Sequence, residues 1–257
     1  AKPILRALDA EPDRWDISSL RVVVSSGVMW SKESKEGLLR HNPRLIMVDS
    51  LGSSEAIGMA SNTTTAESSG ETAKFELGPT TRVITDDGRD VAPGSGELGR
   101  VALPGRTPIG YYKDEAKSAQ TFVVIDGERY SIPGDYATVE ADGTVTLLGR
   151  GSQCINTGGE KVYPEEVEEC LKLHPSVADV AVVGVPDEKW GEAITALVEP
   201  HAGEVVDATE LIGHVKSRLA AYKAPKRVIA VTSIGRAANG KLDYKKLRSA
   251  AIDAPAV

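Results

Sequence analysis

The sequence predicts an α/β fold in two parts: an α/β unit that runs into a strand-rich section, then a small α+β unit. Three observations carry this. Residues 21–52 alternate strand-like, helix-like and strand-like runs with short links, the pattern of a parallel α/β unit. Residues 81–149 hold short strands punctuated by turn signals. The pattern changes after Gly149-Arg150-Gly151-Ser152, which puts a domain boundary at residues 149–153 and divides the chain into 1–150 and 151–257. Roughly 100 residues for the second part is a common domain size.

The elements follow in order. Arg21–Val24 is a β-branched run ending in Ser25-Ser26-Gly27. Ser31–His41 reads as a helix stopped by Asn42-Pro43, and Arg44–Val48 as a second strand ending in Asp49-Ser50-Leu51-Gly52. Ligands of parallel sheets bind beyond the carboxyl ends of strands, so these two polar loops are the first candidates for a site. Asp86-Asp87-Gly88 and Ala141-Asp142-Gly143 are hairpin signals, with a helix over Asp114–Thr121 between them. Pro164–His174 is a helix with proline at its first position. Its Val167, Cys170, Leu171 and His174 share one face, which makes Cys170 a core residue. Val177–Val185 and Ala193–Val198 are strands. Asp207–Ala221 is a helix in which Glu210 follows Asp207 at capping-box spacing. Arg227–Val231 is a strand and Asp243–Ala251 a final helix.

Composition narrows the function. The chain has 257 residues, 26% of them charged and 41% hydrophobic, which excludes disordered, collagen-like and disulfide-stapled classes. Cys154 and Cys170 form no CxxC pair, zinc set or disulfide framework, which suits a reducing compartment and points to the cytoplasm. No apolar run approaches the ~18 residues of a membrane span, so no transmembrane segment is expected. A net charge of −7 argues against nucleic acid as a partner. The charge is uneven, however. Residues 208–250 hold ten basic and two acidic residues, +8, which leaves −15 for the rest. A basic end on an acidic chain suits a small polyanion such as a nucleotide; a solvated helix face is the plain alternative.

Two motif matches fail on context. Gly94-Ser95-Gly96-Glu97-Leu98-Gly99 fits a dinucleotide fingerprint but leads into a strand-like run, where the motif needs a helix N-terminus. Gly235–Lys241 fits most of a P-loop, but Leu242 stands where the magnesium-binding hydroxyl belongs. Other groups hold up better. Gly52-Ser53-Ser54-Glu55 offers backbone N–H groups, hydroxyls and a carboxylate, which suit phosphate oxygens and one magnesium ligand. Gly134-Asp135 and Gly149-Arg150 supply a carboxylate and a guanidinium of the kind that hold ribose hydroxyls. Thr157-Gly158-Gly159-Glu160 and Asn239-Gly240-Lys241 come last.

In this order these segments resemble the adenylate-forming superfamily, and among its members the bacterial fatty-acyl-CoA synthetases. The family's YGxTE motif is matched by Leu51–Glu55 and its YxTGD region by Tyr130–Asp135, with Pro133 for Thr. Its GRxxDxIKxxG region is matched by Gly149–Gly158, with Gln153 for Asp and Asn156 for Lys. Its terminal PxxxxGK is matched by Gly235–Lys241. The resemblance implies the C-terminal part of the large AMP-binding domain over 1–150 and a small mobile domain over 151–257. It implies ATP, Mg²⁺ and CoA, with a carboxylic acid activated as acyl-adenylate and passed to CoA. By that likeness Glu55 binds Mg²⁺ and is catalytic, and Ser53 and Ser54 touch phosphates behind Gly52. Ser26-Gly27-Val28 lies on the adenine plane, Asp49 accepts from the adenine amine, and Leu51 replaces a stacking aromatic. Asp135 and Arg150 hold the ribose, Ser152 is the hinge, and Lys241 bridges the carboxylate and α-phosphate. Gly158, Gly159 and Glu160 line the pantetheine channel, with Trp190 near it; a half-buried packing residue is the plainer reading of Trp190.

One family element is missing from these residues, the Ser/Thr/Gly-rich phosphate loop that normally lies upstream. The chain is therefore expected to be a C-terminal piece, inactive alone, with the upstream part of the same enzyme as its partner. A half-protein that only binds nucleotide or CoA is the alternative from another class.

Overall fold

The chain divides into two units, Ala1–Leu148 and Gly149–Val257, and the computed structural model describes residues 2–27, 30–68 and 72–254. The first unit opens with helix α1 (Lys2–Ala10), strand β1 (Val22–Ser26), helix α2 (Lys32–His41) and strand β2 (Ile46–Leu51). Ser31 caps α2 by accepting from the Ser34 amide, and Asn42 closes it. β1 and β2 are parallel, with Ser25 opposite Asp49 and Ser26 opposite Ser50. One face of this pair is closed by Leu8, Trp30, Leu38, Leu45 and Met47. The other presents Val22, Val24 and Ile46, which are 49, 65 and 42% exposed.

The sheet continues through β3 (Ala60–Thr64), β4 (Lys74–Leu77), β5 (Arg82–Ile84) and β6 (Gly99–Pro104). After helix α3 (Glu115–Thr121) come β7 (Phe122–Ile125), β8 (Glu128–Ser131), β9 (Asp135–Val139) and β10 (Val145–Arg150). The strand order is β1-β2-β3-β4-β10-β9-β6-β8-β7, with β5 paired to β6. Met59, Phe75, Val83, Val101 and Val145 form its core. Gly94-Ser95-Gly96 is a turn before β6, with positive φ at both Gly94 and Gly96.

The second unit has strands β11 (Ile155–Thr157) and β12 (Glu160–Val162), helix α4 (Pro164–Lys172), and strands β13 (Val177–Asp187) and β14 (Gly191–Pro200). Helix α5 (Ala208–Lys216), strand β15 (Arg227–Ala230) and helix α6 (Tyr244–Asp253) follow. β13 is buried almost throughout because its sheet is covered on both sides. Val180 and Val182 meet Val167, Cys170, Leu171, Leu211 and Val215 from α4 and α5. Ala181, Val183 and Val185 meet Ile234, Leu247 and Ala251. Each such valine or leucine contributes about 1.5–3 kcal/mol on full burial. α5 ends at Lys216 rather than near Ala221, where the backbone tightens into i−3 bonds such as Arg218 N–H to Val215 C=O.

Asp207 caps α5 through the Thr209 and Glu210 amides, but the Glu210 carboxylate turns to His174 at 3.1 Å instead of closing the box. His174 also bonds Ser176 Oγ at 2.8 Å, and the His214 ring meets it edge-on at 5.0 Å. His214 Nε2 donates to the Cys170 carbonyl at 2.9 Å. Burial lowers the pKa of His214 from its ordinary 6.5, the Arg218 and His174 charges add to this, and the carbonyl bond and Glu210 oppose it. A histidine with a depressed folded pKa contributes stability above its unfolded value and loses it as pH falls. The urea midpoint of the chain should therefore fall between pH 7.5 and 5.5, and less so in His214→Gln, which does not titrate. Parallel curves for the two proteins would contradict this.

Candidate functional site

The first group of candidate residues stands at the carboxyl ends of the two parallel strands. Ser26 ends β1 and Gly27 leaves it with φ +78°, beside Ser50 of β2; Val28 lies outside the described residues. β2 runs on through Asp49 to Leu51, because β3 pairs with it as far as Leu51 opposite Ala60. The loop thus begins at Gly52, one residue beyond the strand. A Cβ on Gly52 would stand 3.2 Å from the Ala56 carbonyl and the Gly58 nitrogen, so the tight turn suits glycine. Ser53 N–H donates to Ala56 C=O at 2.8 Å. Its Oγ is buried and meets no hydrogen-bond partner among the described residues. A buried hydroxyl left this way costs about 1–3 kcal/mol unless something else bonds it, which fits a ligand oxygen at this loop. Ser54 is exposed.

Two long-range contacts that the sequence reading missed fix the carboxylates here. Glu55 Oε1 accepts from Tyr111 OH at 2.6 Å, and Tyr111 packs on Phe122 under the Lys117 ammonium. Asp49 is 4% exposed, with Lys35 Nζ 3.7 Å from its Oδ2. Lys35 is 1% exposed; burial lowers its pKa and Asp49 opposes that. Among the described residues no group of three or more His, Cys, Asp or Glu could hold a metal by itself. Magnesium typically binds through one or two carboxylates plus substrate phosphates, so a single Glu55 beside the unpartnered Ser53 hydroxyl is a donor set that such an ion could use. Asp135 starts β9 and is buried, directly after Gly134 at φ +97°.

The second unit holds the other candidates. Arg150 ends β10 and is exposed, and Ser152 sits in a 3₁₀ turn over Gly151–Gln153. Gly158 and Gly159 are the two-residue turn between β11 and β12, with φ +60° and +87°, the signature of a type I′ turn. Gly158 N–H donates to the Trp190 carbonyl at 2.8 Å, and a Cβ on Gly158 would stand 3.2 Å from Trp190 Cε3. Trp190 is half-buried, with the Lys189 and Lys226 ammoniums each 4.8 Å from its ring centroid. It therefore packs on the glycine turn and also borders a basic surface. Glu160 is exposed just past the turn. Lys241 is exposed on the loop before α6, and its ammonium meets no partner among the described residues.

No helix of the described residues is long and apolar enough to cross a membrane. Residues 166–241 match the AMP-binding enzyme C-terminal domain. The chain is 45% identical over 261 residues to the medium/long-chain-fatty-acid–CoA/3-oxocholest-4-en-26-oate–CoA ligase of Mycolicibacterium smegmatis, covering 100% of this chain and 47% of that protein. It is 49% identical over 253 residues to the 3-oxocholest-4-en-26-oate–CoA ligase of Rhodococcus rhodochrous, covering 95% of this chain and 45% of that protein. Among solved structures, ATP-bound MatB from Rhodopseudomonas palustris aligns with a TM-score of 0.75 at 26% identity, over 91% of this chain and 46% of that one. The chain spans about half the length of the curated relatives it matches.

Proposed function

Because the chain belongs to the adenylate-forming superfamily and matches acyl-CoA ligases along its length, we propose that it works as part of an AMP-forming acid–thiol ligase. In the first step a substrate carboxylate oxygen attacks the α-phosphorus of ATP. The bond to the bridging oxygen breaks, and pyrophosphate leaves an acyl-adenylate. In the second the CoA thiol attacks the acyl carbon, loses its proton, and expels AMP. The names of the relatives support a fatty acid or a steroid side-chain acid as the carboxylate.

The observation that best supports this reading is the strand-end loop of Gly52–Glu55, with a buried, unpartnered Ser53 hydroxyl and a carboxylate held by Tyr111. Glu55 would hold Mg²⁺, which neutralises phosphate charge when bound. Ser53 and Ser54 meet phosphate oxygens, and Ser26 and Gly27 lie along the adenine with Leu51. Asp49, 3.7 Å from the Lys35 ammonium, accepts from the adenine amine. Asp135 and Arg150 take the ribose hydroxyls. Lys241 places its positive charge between the carboxylate and the α-phosphate, where charge shifts in the transition state. Gly158, Gly159, Glu160 and Trp190 guide the pantetheine arm for the second step, with Ser152 as the hinge between 1–150 and 151–257. The unpaired Cys154 and Cys170 suit a reducing compartment such as the cytoplasm.

The upstream half of the large domain is the partner in this reading. Parallel sheets are covered on both faces, and here Val22, Val24 and Ile46 leave one face of the parallel pair apolar and open. The phosphate loop is absent from these 257 residues. A polypeptide joining the upstream half to this chain should release pyrophosphate with a suitable carboxylate, across a panel of fatty, steroid and aromatic acids. The 257-residue chain alone should release none. Pyrophosphate release by the chain alone, or silence of the joined polypeptide with every acid, would overturn the reading.

A further inference from the structure

The loop that carries Lys241 is tied down at both ends, to the mostly buried Asp179 and the buried Glu168. Arg236 Nε donates to Asp179 Oδ2 at 2.6 Å and its Nη2 to Asp179 Oδ1 at 3.0 Å. The third donor, Nη1, reaches the Gly240 carbonyl at 2.9 Å, one residue before Lys241. The backbone closes on itself inside this clamp. Ala237 N–H donates to the Lys241 carbonyl at 2.9 Å, and Gly240 N–H to the Ala237 carbonyl at 2.8 Å. Three residues past Lys241, Tyr244 OH donates to Glu168 Oε1 at 3.0 Å. Glu168 is 3% exposed and also accepts from the Val182 amide at 2.9 Å. The ammonium of Lys241 is the long group of this loop left pointing to solvent without a partner among the described residues.

All three guanidinium nitrogens are engaged in these bonds, two on Asp179 and one on Gly240. The Asp179–Arg236 pair is mostly buried, with side chains 16 and 24% exposed. Burial alone would raise the Asp179 carboxyl, but the Arg236 bonds outweigh it and keep Asp179 ionised. A planar fork with fixed donors can hold a carboxylate and a carbonyl together; a lysine ammonium has no such geometry.

We infer that Arg236, seated on Asp179, is a positioning residue that fixes the backbone under Lys241 for the adenylation step. This rests on Lys241 being the adenylation lysine, and the test separates the two ideas. In the joined polypeptide, Arg236→Met and Arg236→Lys should each lower the adenylation kcat at least about tenfold, since small misplacements of a catalytic group have costs of that order. KM for ATP should change little, and transfer from pre-made acyl-adenylate to CoA should stay within about twofold. On a Lys241→Ala background, Arg236→Met should cost nothing further, because residues acting as a unit are non-additive. Equal loss of both half-reactions, or an undiminished effect of Arg236→Met on the Lys241→Ala background, would overturn the inference. If Lys241→Ala itself left adenylation intact, the Lys241 assignment would fail, and with it the role given to Arg236. A second measurement needs no activity. In the 257-residue chain carrying Asp179→Asn, amide exchange at Ala237 and Gly240 should quicken while Leu247 in α6 stays protected. Unchanged protection at Ala237 and Gly240 would also overturn it.

Discussion

Lys241→Ala in the joined polypeptide should slow acyl-adenylate formation about a hundredfold, the usual cost of removing one preorganised charge donor from a phosphate-centred transition state. Transfer of a pre-made acyl-adenylate to CoA should be nearly unchanged. The lysine is exposed, without a partner among the described residues, and stands on a turn pinned through Arg236 to Asp179. Its charge is therefore available while its backbone is fixed. Lys245 and Lys246, exposed on α6, are matched controls in the same basic segment, and alanine there should do little to either step. Quench-flow measurement of acyl-adenylate without CoA checks this. Intact adenylation in Lys241→Ala, or damage to both steps alike, would show that this residue and the two-step division of labour are misassigned.

Gly158→Val should produce the mirror image. Gly158 lies at φ +60°, where a side-chain-bearing residue costs roughly 1–2 kcal/mol, and its Cβ would press on Trp190 Cε3 at 3.2 Å. A β-branched side chain would push the turn, the Trp190 ring or both out of place. Thioester formation should fall at least about tenfold, since misplacement of a substrate-guiding segment has costs of that order. Adenylation should persist. Gly203→Val separates strain from position, because Gly203 also has positive φ, at +86°, and a Cβ there meets nothing within 4 Å. That variant should lose stability without favouring either step. Equal effects of the two valines on thioester formation would argue against a role for the turn.

Local signals carried much of this structure. Proline at the start of α4, Asp207 at the cap of α5, and the β-branched runs of β1, β13 and β15 each act over a few residues, so their elements begin where the sequence places them, within one residue, although α5 ends earlier than expected. Cys170 lies in the core with Val167 and Leu171, as its helical face requires. The Gly158-Gly159 pair also carries a local hairpin signal, but in the sequence only family likeness singles it out, and neither β11 nor β12 is predicted there. Less legible were the contacts that hold the site. Tyr111 reaches Glu55 across 56 residues, and Arg236 reaches Asp179 across 57. Nothing in the local spacing of either pair predicts its partner, because the fold brings them together.

Lys35 is an intermediate case. It shares a helical face with Ser31, Ser34 and Leu38, all of them buried. A lysine on that face carries a signal that periodicity could have raised, though not that Asp49 would answer it. The strand end of β2 moved from Val48 to Leu51 because pairing with β3 extends the ladder past the apolar residues. A polar residue such as Asp49 can continue a strand when its carboxylate finds a cation beneath it.

The most direct test sets both half-reactions of the joined polypeptide side by side for Lys241→Ala and Gly158→Val. Acyl-adenylate formation is read without CoA, and thioester formation from pre-made acyl-adenylate with it. Opposite selectivity is the predicted result: Lys241→Ala loses the first step and keeps the second, and Gly158→Val keeps the first and loses the second. The same selectivity in both variants, or none in either, would contradict the assignment of two separate steps to two separate loops of this chain.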